Sequence, residues 1–257
     1  MTRQCFKSGF RNLKPMSKSD TDQTLKDLKN RLGNDMENLV FYVHVELSTL
    51  PFIVEQFSRN TSNLENTLDR SLEASLTWVP MLFERARKNE LDRILARANA
   101  THGSLGIPEI QIRTVLAVIG LSIHQWITKN TSIKFEEAHK IAIFKMLEDV
   151  GETMQVRDVP TSFLACSELL ESERSTVHCP RAKRFLETGL RIYSKRFGWG
   201  RSLLTTSLFR ANMNSACCTI FGLRQFPALV ARMVRETFRL RWYMSDAFPF
   251  LKNWGQG

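Results

Sequence analysis

The sequence predicts an all-α fold, a single-domain helical bundle of about eight to ten helices. Three observations predict it. Apolar residues recur at spacings of three and four over most of the chain, whereas strict strand-like alternation is nearly absent. Glycine (12) and proline (8) are too few among 257 residues for the many turns of an all-β fold. An apolar fraction of 43% beside 24% charged residues is that of a globular chain with a sizeable core to bury.

Residues 1–20 (MTRQCFKSGFRNLKPMSKSD) are basic and polar. They read as a disordered leader without the apolar stretch of a secretory signal, and the folded domain is expected over 21–250. From Gln23 the pattern is helical, with Leu25, Leu28 and Leu32 on one face. The apolar run 41–57 (FYVHVELSTLPFIVEQF) opens on β-branched residues, and Pro51 divides it into two helices. Two more are predicted over 64–79 and 82–102, separated near Pro80. In the second, Leu91, Leu95, Ala98 and His102 recur at intervals of four, three and four, which is one helix face. Gly103 and Gly106 then end it.

After Pro108 a helix is expected to about Trp126, carrying Ile112, Val115, Leu116, Ile119 and Ile123 inward. The next runs from Thr131 or Ser132 to Gly151. Thr161 and Ser162 are placed to cap a helix from Phe163 to about Ser172. Three further helices are expected near 181–197, 201–221 and 226–244, with Gly198 and Gly200 between the first two and Pro227 opening the third.

The net charge of +10 is unevenly placed. Residues 1–180 carry 22 Lys/Arg against 23 Asp/Glu, and residues 181–257 carry 14 against 3, so the whole excess lies in the last third. Such a face suits phosphates, anionic lipid or the carboxylates of a cofactor. No nucleic-acid-binding signature accompanies it, and a nucleic-acid partner is not expected. Five cysteines with no C-x-x-C spacing fit a reduced intracellular chain and argue against zinc. The longest nearly uncharged apolar run, TVLAVIGLSI (114–123), is about half of what a membrane span needs. There is no Gly-x-Ser-x-Gly, Walker loop, His-Glu-x-x-His or dinucleotide-binding glycine turn, so hydrolase, kinase and nicotinamide-dependent chemistries lack support.

His102 is the singular residue. An imidazole at the end of an apolar stripe must find partners for its nitrogens or carry a desolvation cost. Two readings fit it: a core histidine bonded to a nearby carbonyl, or a metal ligand. His124 (LSIHQW) lies on an apolar helix beside Trp126 and reads as packing or pocket-lining. His139 (EEAHKI) has charged neighbours and reads as exposed. His44 lies in the apolar run, and His178 in a loop.

EEAHKIAIFKMLEDVGETMQVRDVPTSF (136–163) closes a helix on glycine, then passes through a short stretch containing Met154 to a Val-Pro before the next helix. Upstream stands NATHGSLGIPEIQIRTVLAVIGLSIHQWI, and downstream CPRAKRF and GLRQFPALVARMVRETFRLR. In this order the segments resemble the ER-bound oxygenase MpaB and rubber oxygenase (latex-clearing protein) catalytic-domain family, over about 70–250. The resemblance implies an all-helical domain around a haem-sized apolar pocket. It implies haem b as cofactor, and dioxygen cleaving a carbon–carbon double bond of an apolar, isoprenoid- or lipid-like molecule to leave carbonyl ends. His102 corresponds to the family's proximal haem ligand, and His124 is the second choice.

The rubber-cleaving branch carries an arginine with a closely following lysine and threonine on the helix facing the haem. The matching stretch here is DRSLEASLTW (69–78). Arg70 occupies a comparable place, but Glu73 and Ala74 stand where lysine and threonine would be sought. Glu73 is either a pocket carboxylate acting as a base or a solvated helix residue. The expected function is therefore a haem-dependent oxygenase with Arg70 and Glu73 as candidate catalytic residues. Two alternatives stand beside it: a non-catalytic helical domain that has lost the cofactor, and a basic-faced module binding an anionic membrane surface. For the last, Arg232, Arg235, Arg239 and Arg241 accompany Val230, Met233, Val234, Phe238 and Trp242 in an amphipathic pattern.

Overall fold

The computed structural model describes residues 16–33, 35–59, 64–84, 88–197 and 199–247. Among them lie twelve α-helices and no strand, so the chain is all-α. The helices are α1 (Lys18–Leu32), α2 (Asp35–Leu47), α3 (Pro51–Arg59), α4 (Leu64–Leu82), α5 (Lys88–Ser104) and α6 (Glu109–Asn130). They continue as α7 (Glu137–Thr153), α8 (Phe163–Glu173), α9 (Pro180–Phe197), α10 (Trp199–Asn212), α11 (Ser215–Phe221) and α12 (Ala228–Ala247). Most of the expected leader, residues 1–15, lies outside the described residues.

Helix ends differ from the expected ones where a capping group acts. The first helix starts at Lys18 because the Ser17 side chain accepts from the Asp20 amide at 3.1 Å; expecting the helix only from Gln23 overlooked that cap. Pro80 does not separate two helices. It sits in the last turn of α4, which ends two residues later. The seventh helix begins at Glu137, five or six residues after the expected start. There Glu136 and His139 form a reciprocal capping box, with the Glu136 amide donating to His139 Nδ1 at 3.0 Å. That bond leaves His139 half-buried instead of exposed. The helix expected over 201–221 is two helices, because Asn214 accepts from the Cys217 amide at 2.8 Å and starts α11 anew. Ser162 caps α8 as expected, accepting from the Ala165 amide at 3.1 Å.

α6 runs through the middle of the packing, against α2, α7, α8 and α12. It is the one helix among the described residues long and apolar enough to cross a membrane, and most of its apolar window is buried inside the protein. Gly120 lets it approach α7, since a Cβ there would fall 2.6 Å from Leu147 Cδ1. The centre is aromatic. Phe41 and Tyr42 of α2 meet Tyr193 of α9, Phe209 of α10 and Trp126 of α6, with ring centroids 4.7 Å apart for Phe41–Tyr193 and 5.5 Å for Tyr42–Trp126. Burying rings of this size in tilted contact contributes apolar area and about 0.5–1.5 kcal/mol per pair beyond it. α5 lies at the periphery, packed on α4 and α7.

Candidate functional site

The end of α5 is built by its sequence. Leu95 is buried, Leu91 and Ala98 pack on the core, and His102 lies half-buried one turn further along the same face. The helix passes through Gly103 and stops at Gly106, which takes a left-handed conformation (φ 62°). The Ile107 amide donates to the His102 carbonyl (3.0 Å) and the Gly106 amide to the Gly103 carbonyl (3.1 Å). These are the two reversed bonds of a Schellman ending, and they fix the backbone that carries His102.

His102 Nδ1 is buried and has no hydrogen-bond partner. Leaving a buried polar atom unpaired costs about 1–3 kcal/mol, so a group that reached this nitrogen would relieve that cost. Burial also pulls the imidazole below its ordinary pKa, so the ring is neutral at pH 7 and has a free lone pair to offer. The ground beside it is apolar and open. Leu105 and Ile110 are exposed, and a Cβ at Gly103 or Gly106 would meet nothing within 4 Å.

The other expected site residues do not converge there. Arg70 and Glu73 are exposed on α4, while Leu68, Leu72, Ser75 and Val79 of the same helix face inward. His124 is half-buried in α6 with its ring stacked on Phe163 (centroids 4.0 Å, interplanar 15°) and close to Phe135 (5.2 Å). Burial, then Lys140 and Lys129, lower its pKa. Its ring packs in an aromatic row that includes Phe144 and His139. His178 lies in the α8–α9 loop with Nδ1 at 3.1 Å from the Ile220 carbonyl. His44 bridges Val40 O (3.0 Å) and Ser75 Oγ (3.4 Å).

A second polar assembly escaped sequence reasoning. Glu46 is buried in α2, and Arg174, just beyond α8, donates to it from Nη2 at 2.5 Å while its Nε donates to Thr49 Oγ1 at 2.9 Å. Cys217 Sγ of α11 lies 3.8 and 3.9 Å from the two Glu46 oxygens. Tyr42, one turn earlier in α2, donates to Gln125 Oε1 of α6 at 2.8 Å. Burial and the Glu46 carboxylate push both the Tyr42 phenol and the Cys217 thiol upward, so both stay protonated near neutrality. A protonated, buried thiol is not a nucleophile, and the assembly ties α2, α6, α8 and α11 together. Its signal was a single carboxylate inside the apolar run FYVHVELSTLPFIV.

Described residues line clefts elsewhere in the fold. One of about 30 Å³ lies between Met81, Leu95 and Val150, another of about 340 Å³ between Arg59, Arg181 and Arg184. Neither is lined by His102. No group of three or more His, Cys, Asp or Glu is arranged to hold a bare metal ion among the described residues. No family model, curated protein or solved structure matches the chain.

Proposed function

We propose that the chain is a haem b-dependent oxygenase in which His102 is the axial iron ligand and an apolar, isoprenoid- or lipid-like molecule is the substrate. The observation that carries the reading is the buried, unpartnered Nδ1 of a neutral imidazole at a rigidly capped helix end. It joins the resemblance of residues 70–250 to the MpaB and rubber oxygenase family. The donor chemistry of His102 supports this reading. His102 supplies one neutral nitrogen donor, and Leu105, Ile107 and Ile110 offer apolar ground for a flat hydrophobic plate. When bound, haem iron supplies dioxygen activation. The net reaction breaks one C=C bond and forms two C=O bonds with both atoms of one O2, so no external reductant enters the balance.

A second reading, a helical domain that binds no haem or binds it without cleaving a substrate, is favoured by the exposure of Arg70 and Glu73. Residues open to water on the outer side of α4 do not form a dry distal chamber. One experiment separates the readings. The protein is purified with haem supplied, and its visible spectrum is recorded beside that of His102→Ala. A Soret band that is lost or shifted in the variant supports axial ligation. A folded, colourless protein that takes up no haem, or a band indifferent to the substitution, ends the oxygenase reading.

A further inference from the structure

Helix α12 has two apolar faces, and only one is used by the fold. Ala231 and Phe238 are buried, and Val234 packs beside them on the core. This corrects the amphipathic pattern expected from the sequence: Val234 and Phe238 belong to the core, and the side chains of Arg241 and Trp242 lie outside the described residues. On the opposite side Leu229, Met233 and Leu240 are 70%, 61% and 56% exposed. At 100° per residue these three fall within about 40° of one another and stand diametrically across from Phe238, forming a ridge about 16 Å long. Leu203 of α10, the helix that α12 packs against, is 54% exposed as well.

The charges around the ridge decide what it meets. Arg235 and Arg239 are turned inward, donating to the carbonyls of Ala211 (2.6 Å) and Thr128 (2.6 Å). Glu236, the one acid on the ridge, is paired with Arg239 at 3.3 Å. Arg232, on the flank, and Arg224, just before the helix, are exposed and make no ion pair among the described residues. The surface is thus apolar with a positive margin, in a third of the chain that carries 14 basic against 3 acidic residues. A second copy docking here would bring two such basic regions together. An anionic bilayer instead offers hydrocarbon to the leucines and phosphate or carboxylate headgroups to the arginines.

We propose that the outer face of α12 is a peripheral docking surface for anionic lipid bilayers, lying flat with Leu229, Met233 and Leu240 inserted at the headgroup boundary. The helix core face is unaffected by this contact, and the proposal does not depend on haem binding. The test uses the full chain in co-sedimentation with vesicles of pure phosphatidylcholine and of phosphatidylcholine with 30% phosphatidylserine, at low and high salt. Binding is expected to the anionic vesicles and to weaken with salt. The triple variant Leu229→Gln, Met233→Gln, Leu240→Gln should bind at least tenfold more weakly. Arg224→Gln with Arg232→Gln should lose about fivefold per charge. Unchanged far-UV circular dichroism certifies that the variants fold. Three results overturn the proposal: no binding to anionic vesicles, wild-type binding by the folded triple variant, or a wild-type dimer in light scattering that the triple variant dissolves.

Discussion

Glu46 and Arg174 form an ion pair at 2.5 Å in which both side chains are more than nine-tenths buried, 128 residues apart in sequence. Thr49 and Cys217 complete the shell around the two charges. A pair in such a setting contributes little net stability, because desolvation offsets the attraction, yet breaking it is severe because one charge is left alone. Arg174→Met is therefore expected to cost about 3–5 kcal/mol in urea unfolding. Glu46→Leu combined with Arg174→Met should cost clearly less than either change alone. Additive losses would mean that the two residues act independently.

The two glycines at the end of α5 should behave oppositely. Gly106 has φ 62°, so Gly106→Ala forces a side chain into the left-handed region at a cost of about 1 kcal/mol. Gly103 lies inside the helix with open space around it, and Gly103→Ala should stabilise by up to about 1 kcal/mol. Thermal melts of the two variants check this. If His102 is held by the cap, Gly106→Ala should also weaken haem uptake while Gly103→Ala leaves it intact.

Burial lowers the pKa of His44 and of His102. For a base depressed in the folded state, the unfolded chain takes up protons first as pH falls. The stability linked to these residues is complete above about pH 6.5 and declines below it toward their folded values. Urea midpoints should fall between pH 7.5 and 5.5, and His44→Gln should fall by less. An identical pH slope in wild type and variant would remove His44 from the explanation.

Thiol reactivity should divide by burial. Burial pushes the Cys166 thiol up to about 12, and the Cys217 thiol is raised further by burial and by Glu46. Both are expected to resist iodoacetamide in the native protein at pH 8 and to be labelled in denaturant, whereas half-buried Cys179 reacts earlier. Peptide mapping after timed labelling reads the order directly.

Arg70 and Glu73 stand on the water side of α4. Arg70→Ala and Glu73→Ala should each change stability by less than about 0.5 kcal/mol. In haem-reconstituted protein they should leave the Soret maximum where it is. A shifted maximum in either variant would bring that residue to the iron.

Sequence periodicity alone was enough for the fold class and for the stripe that ends at His102. Leu91, Leu95 and Ala98 do face the core, because helix geometry maps spacings of three and four onto one side wherever the helix lies. Local chemistry also located the break at Pro51 and the cap at Ser162. What the sequence could not decide is which partners the chain brings from far away. Glu46 meets Arg174 and Cys217 only because α2, α8 and α11 converge, and burial there keeps the thiol protonated. The choice of face on α12 is of the same kind. Leu229 and Phe238 are equally apolar in sequence, and only the placement of α6 and α10 against one side leaves Leu229 in water and Phe238 in the core. Periodicity fixes which residues share a side of a helix, whereas tertiary packing fixes which side loses its water.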